Sequence, residues 1–172
     1  LAIVFCAVAA SATCLSQTIE YKTMSGLIDR GSQAFAQGDY PQAANAFRKL
    51  QSLYSNEPEW RESRLSEKIM PLAGYSSLKA GLYEQAVDSL ETFLQEDNPA
   101  YSQETFAKYS IALAFKRNGD FPAALEAFEV FRKSSHSASQ QSIACIHEAD
   151  INFKNNQAEV ALEILSSVVD SD

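Results

Sequence analysis

Basic residues are scarce and never gather. Against 22 acidic side chains the chain carries 14 lysines and arginines, a net charge of −8 over 172 residues. Phosphate binding needs clustered cations, and the densest here are the pairs Arg48-Lys49, Lys116-Arg117 and Arg132-Lys133, which excludes nucleic acid as a main partner. Glycine (6) and proline (5) are few, and several of them fall where turns are needed. The three cysteines, Cys6, Cys14 and Cys145, are too few and too far apart for a disulfide framework. Of the two histidines, His147 is followed by Glu148, but a zinc-protease signature needs a second histidine at 151, where Ile151 stands. His147 and Asp150 share a helix face, yet two ligands do not make a metal site. There is no Gly-rich phosphate loop and no G-x-S-x-G elbow, and the carboxylates are scattered. The chain is therefore read as non-enzymatic, with no cofactor and no metal. No stretch alternates as a strand would. What is present is ordinary for a packed domain: 46% hydrophobic and 21% charged residues, which excludes wholesale disorder.

One long apolar run stands apart. Residues 1–10 read LAIVFCAVAA, then SATCLSQT follows, and the first charge is Glu20. A membrane span needs roughly 20 apolar residues, so this run is short for one and has the length of a secretory h-region. Ala10-Ser11-Ala12 offers an A-x-A cleavage site. Residues 1–15 are read as a signal peptide or N-terminal anchor and 16–23 as a linker, placing the protein outside the cytoplasm, in a periplasm or cell envelope. Contact with membrane would then run only through that anchor or a lipid. Cys14 is a candidate for lipidation, although Ser11-Ala12-Thr13 departs from the lipoprotein pattern of a leading Leu and a closing Gly or Ala. With no Met and no basic n-region, the true start is expected upstream. If residues 1–15 are instead a buried helix, the same chain is a cytosolic scaffold.

The body repeats itself. Gly38-Asp39-Tyr40-Pro41-Gln42-Ala43-Ala44-Asn45-Ala46-Phe47 returns as Gly119-Asp120-Phe121-Pro122-Ala123-Ala124-Leu125-Glu126-Ala127-Phe128. Weaker copies begin at Gly81 and Asn156, giving starts at 38, 81, 119 and 156 and spacings of 43, 38 and 37. The glycine permits the left-handed conformation that ends a helix. Asp39 caps the next helix, Gln42 sits at the capping-box position, and Pro41 falls in the first turn, where its missing N–H is harmless. Apolar residues then recur at 40, 43, 44, 47, 50 and 54, one face of a helix. Ala43, Ala86, Ala124 and Ala161 hold one equivalent position, where a larger side chain costs roughly 1–3 kcal/mol by overpacking. Upstream of each copy lies a second amphipathic stretch, with Gly31, Gly74, Ala112 and Ala149 as another small-residue row. Residues 59–70 add extra helix before Pro71, which is expected to kink or break it, so the second pair is read with an elongated first helix.

This pattern resembles the tetratricopeptide repeat, whose signature runs W-x2-L-G-x2-Y, then A, F and P over about 34 residues. Leu27, Arg30, Gly31, Ala34, Ala43 and Phe47 fall on it in the first copy. Lys108, Ile111, Ala112, Phe115, Ala124 and Phe128 do so in the third. Arg30, Lys108 and Glu148 depart where an apolar residue is usual, and the closing proline is displaced to Pro58 and Pro99. The resemblance covers about residues 24–169. It implies an all-α, right-handed α-solenoid of about four helix–turn–helix units, over 24–57, 59–97, 101–135 and 138–170 within a repeat domain of 24–172.

In that family the first helices line a concave groove. The glycine register then implies a groove of Phe35, Tyr75, Leu78, Phe106, Tyr109, Leu113, Lys116, Ile146 and Phe153, with Ile143, Ser32, Lys68 and Asp150 beside them. Such a groove suits an amphipathic helix or an extended apolar peptide. The resemblance thus implies a protein–protein interaction scaffold whose partners are other proteins. Two narrower readings stay open. The third copy, with Tyr101-Ser102 before its first helix and Gly119-Asp120-Phe121 before its second, resembles repeats of outer-membrane assembly lipoproteins, implying a lipid-anchored subunit of a β-barrel assembly complex. Alternatively, the repeats are the docking arm of a longer multidomain protein. Val160, Leu162, Ile164, Leu165, Val168 and Val169 cover more than one helix face, so a further repeat or another subunit is expected against them.

Overall fold

The computed structural model describes residues 23–62, 64–95 and 101–169, and every regular element among them is helical. Residues 1–15, with Cys14 and the expected signal or anchor, lie outside the described residues. The helices are α1 (Met24–Ala36), α2 (Tyr40–Tyr54), α3 (Pro58–Glu62), α4 (Leu65–Lys79), α5 (Tyr83–Leu94), α6 (Tyr101–Asn118), α7 (Phe121–Ser134), α8 (Ala138–Lys154) and α9 (Ala158–Val169). They form four hairpins: α1 with α2, α4 with α5, α6 with α7, and α8 with α9. Each second helix also packs on the next first helix, α2 on α4, α5 on α6 and α7 on α8, and α4 packs on α6. Contact thus passes from each hairpin to the next, which makes the chain an α-solenoid.

The same turn is built four times. Gly38, Gly81 and Gly119 take φ of +76°, +78° and +84°, and Asn156 takes +61° in the fourth copy. Asparagine is the residue that best tolerates this region after glycine. In every copy the next amide then closes a long bond back into the preceding helix: Asp39 N to Ala34 O (2.9 Å), Leu82 N to Ser77 O (2.8 Å), Asp120 N to Phe115 O (3.1 Å) and Gln157 N to Asn152 O (2.9 Å). The eroded fourth copy therefore keeps its turn although its glycine is lost.

Helix starts follow the same residues. Asp39 Oδ1 accepts from Gln42 N at 3.1 Å and Asp120 Oδ1 from Ala123 N at 3.2 Å. Leu82 occupies the equivalent cap with nearly the same backbone, φ −92° and ψ 68° against −80° and 71° at Asp39, but has no acceptor to offer. Leu82→Asp is accordingly expected to stabilise the fold by roughly 1 kcal/mol, read as a raised urea midpoint.

The two small-residue rows face large apolar partners. A Cβ added at Gly31 would overlap the Phe47 ring, and one at Gly74 would overlap Leu90. Ala43, Ala86, Ala124 and Ala161 are all buried. The three departures from the family pattern are each satisfied. Arg30 Nη2 donates to Gln42 Oε1 at 2.9 Å, Lys108 pairs with Glu104 at 2.6 Å, and the buried Glu148 accepts from Arg132 Nε of the preceding hairpin at 3.3 Å.

The elongated first helix expected over residues 59–70 is instead two helices. Arg64, at φ +53°, breaks the chain direction between α3 and α4. The short α3 exists to place Trp60, which is buried in the same core cluster as Leu50, Ile69, Met70 and Phe93. Pro71 does not break α4, which runs through it to Lys79. Its ring removes one donor from the helix, but Ile69, Met70, Ala73 and Gly74 around it are buried against neighbouring helices.

Candidate protein-binding groove

Successive first helices stand side by side, and the side chains that join them run as one row. Phe35 on α1 and Tyr75 on α4 lie 6.0 Å apart between ring centroids. Tyr40, at the start of α2, meets both edge-on at 5.9 Å. Tyr75 continues to Phe106 on α6 at 5.5 Å. Lys79 Nζ sits over Tyr40 and Tyr75, 5.6 and 5.8 Å from their centroids, a geometry in which the ring quadrupole attracts the cation. One turn of α4 separates Tyr75 from Lys79, and this is why one helix supplies both.

From α6 to α8 the row becomes polar. His147 stacks on Phe128 at 4.8 Å, and its two ring nitrogens each meet a partner from α6: Tyr109 Oη at 3.1 Å from Nε2, and Lys116 Nζ at 2.9 Å from Nδ1. An ammonium only donates, so Nδ1 accepts and Nε2 carries the proton that it donates to Tyr109 Oη. Lys116 also pairs with Asp150 at 2.6 Å, and Lys154 reaches the same carboxylate oxygen at 3.0 Å. Burial lowers the His147 pKa below its ordinary value, and the charges of Lys116 and Arg117 lower it further against the opposing pull of Asp150. Burial raises that of Tyr109. Hydrogen bonds from Lys116 and Lys154 lower that of Asp150.

A consequence in pH follows from the neutral imidazole. Because the fold disfavours its protonated form, His147 contributes stability that is complete above the unfolded value of about 6.5. That contribution is lost as pH falls through this value towards the lower folded one. His147→Gln is expected to flatten the decline in stability on the acid side of neutrality, measured by denaturant titration across that range.

The residues expected on the groove separate into two groups. Phe106, Ile146 and Phe153 are exposed, by 37%, 52% and 68%, with Ile143, Ser32 and Lys68 exposed beside them. Phe35, Tyr75, Tyr109, Leu113, Lys116 and Asp150 are half-buried in the contacts between first helices. Leu78 is not on the groove. It is 2% exposed and packs with Ala86 and Ala114, because the small Ala114 on α6 leaves room for it between the hairpins. Tyr109 is held among Phe128, Phe131 and His147 and so is as much a packing residue as a surface one. Tyr40, Lys79 and the His147 network were not expected. Tyr40 has a visible signal in its equivalents Tyr83 and Phe121. The partners of His147 depend on how one hairpin is rotated on the next. Among the described residues no group of three or more His, Cys, Asp or Glu is placed to hold a metal ion, and no helix is long and apolar enough to cross a membrane.

This geometry has close parallels. The structure is similar to that of MamA 41-end from Desulfovibrio magneticus RS-1, with a TM-score of 0.63 and 18% identity over 87% of this chain and 75% of that one. It is equally similar to the MamA RS-1 ArsTM double mutant, with a TM-score of 0.64 and 19% identity over the same shares. No curated protein matches the sequence. Residues 27–57 and residues 72–138 each match the tetratricopeptide repeat, spanning the first hairpin and the second and third. The hairpin of α8 and α9 lies beyond these matches and repeats their geometry through Asn156 and Ala161. The chain belongs to the tetratricopeptide-repeat family.

Proposed function

We propose that this protein is a non-catalytic scaffold that binds segments of other proteins along the face built by α1, α4, α6 and α8, and that it works in a bacterial-type cell envelope. The observation that carries the binding role is the row of aromatic and aliphatic side chains on that face. Phe106, Ile143, Ile146 and Phe153 are exposed, whereas Ile111 and Ile151 of the same helices are buried and Tyr109, Leu113 and Phe115 half-buried. Clustered exposed apolar side chains on a rigid array are a feature of recognition surfaces. The envelope location is supported by the sequence of residues 1–15, an apolar run with an A-x-A exit.

The test uses Phe106→Ser and Phe153→Ser, two exposed positions on different hairpins, rather than the half-buried Tyr109. The full chain captures partners from an envelope extract of its source, and the affinity for the captured protein is then measured for each variant. Each substitution is expected to weaken binding roughly tenfold, about 1.4 kcal/mol, with the circular dichroism spectrum unchanged. Equal affinity in both variants would remove the first-helix face as the binding surface. Cell fractionation tests the location independently, since recovery of the native protein in the cytosolic fraction would sink the envelope assignment.

A further inference from the structure

Charge is unevenly shared between the two kinds of helix. Of the second helices, α5 and α7 expose carboxylates, Glu84, Asp88 and Glu91 on α5 and Glu126 and Glu129 on α7, whereas α2 carries none and exposes Arg48 and Lys49. The basic residues that end α7, Arg132 and Lys133, are each paired with a carboxylate, Glu148 and Glu129. The first helices of the second, third and fourth hairpins end on cations, whereas α1 has none in its last turn. Lys79 closes α4, Lys116 and Arg117 close α6, and Lys154 closes α8. Lys79, Arg117 and Lys154 stand at one register position, two residues before Gly81, Gly119 and Asn156, and all three are exposed. Asp150 is shared by Lys116 and Lys154, whereas neither Lys79 nor Arg117 has an ion-pair partner among the described residues. A chain of net charge −8 thus keeps a basic row along one edge of its first-helix face.

That row and the exposed apolar side chains lie on the same side. Arg117 follows Phe106, and Lys154 follows Ile143, by about three helical turns, so each pair shares a line along its helix. Lys79 is already held over two rings of the aromatic row. Cations at helix C-termini also favour the helix dipole, but that effect does not require the same register in three successive repeats, nor rings beneath the first of them.

Resting on the binding role proposed above, we infer that the occupant of the first-helix face is an acidic polypeptide segment of another protein. Its carboxylates lie along Lys79, Arg117 and Lys154, and its apolar side chains lie on Phe106, Ile143 and Ile146. The acidic faces of α5 and α7 repel the same segment, so over the second and third hairpins the charge pattern selects the face as well as the ligand.

A displayed library of random short peptides is panned against the full chain and against Lys79→Glu/Arg117→Glu, two exposed sites whose reversal leaves the core untouched. Peptides recovered on the wild type are expected to be enriched in Asp and Glu together with aliphatic or aromatic residues. Their affinity is expected to fall about tenfold in the double variant and to weaken with added salt. Apolar peptides recovered without acidic enrichment would keep the binding role and overturn this inference, and acidic peptides bound equally by both proteins would overturn the placement of the carboxylates. Failure to recover any peptide would remove both readings. Salt-sensitive self-association that the double variant loses would assign the basic row to the acidic faces of α5 and α7 of another copy, again overturning the inference.

Discussion

Leu90→Ala is expected to lower the unfolding free energy by about 3–4 kcal/mol, and the same substitution at Leu165 by about 1 kcal/mol. The two leucines occupy one position of the repeat. Phe47, Leu90 and Phe128, nine residues after Gly38, Gly81 and Gly119, are fully buried, whereas Leu165, nine after Asn156, is 40% exposed. Phe47 and Leu90 reach Gly31 and Gly74 of their own first helices and Phe128 shares a core cluster with Ala112, and α5 is in addition covered by α6 as α2 is by α4 and α7 by α8. Truncating Leu90 leaves a cavity between packed helices, because Gly74 opposite supplies no side chain to fill it. Truncating Leu165 removes surface that water already reaches. Urea denaturation followed by far-ultraviolet circular dichroism reads the difference. Equal losses at the two positions would mean that α9 is as covered in solution as α5, through another copy packed on Val160, Leu162 and Leu165.

The repeat was legible because its punctuation is made of residues with few alternatives. A positive φ after each first helix demands Gly or Asn, and a cap at Asp39 and Asp120 demands a short oxygen-bearing side chain. Those constraints recur at intervals of 43, 38 and 37 residues and identify four hairpins even where the apolar pattern has decayed. The reading of exposure was right where register alone decides it, as at Phe106 and Ile143, which are exposed like their equivalents Ser25 and Lys68. It failed at Leu78. Phe35, Leu78, Lys116 and Phe153 share one register position, yet the first is half-buried, the second is buried beside Ala114, the third turns to Asp150 and His147, and the last is 68% exposed. What decides among them is the residue facing each from the following hairpin. That residue lies more than thirty positions away in the sequence, on the order of one repeat. The bond between Tyr109 and His147 is of the same kind. The row of Lys79, Arg117 and Lys154 differs, since its spacing is written in the chain and only its company, the rings under Lys79 and the carboxylate beside Lys154, requires the fold.

Trp60→Ala is expected to cost about 3–5 kcal/mol, although it lies on a helix of only 5 residues. A helix so short has no stability of its own, so α3 persists because Trp60 is anchored. The indole is 5% exposed and shares a core cluster with Leu50, Ile69, Met70 and Phe93, residues of α2, α4 and α5. It thus fills the junction where the first hairpin meets the second, and this is also where the repeat spacing stretches to 43 residues. The insertion is therefore an integral part of the array and not a loop grafted on it. Removing the indole uncouples α1 and α2 from α4 and α5, and in a solenoid the coupling between neighbours carries much of the stability. The variant is expected to lose cooperativity as well as midpoint, with the signal of the first hairpin melting ahead of the rest in hydrogen exchange. A small, cooperative loss of less than about 1 kcal/mol, the range of an exposed site, would show instead that α2 packs directly on α4 without needing α3, and that the tryptophan only covers a seam already closed.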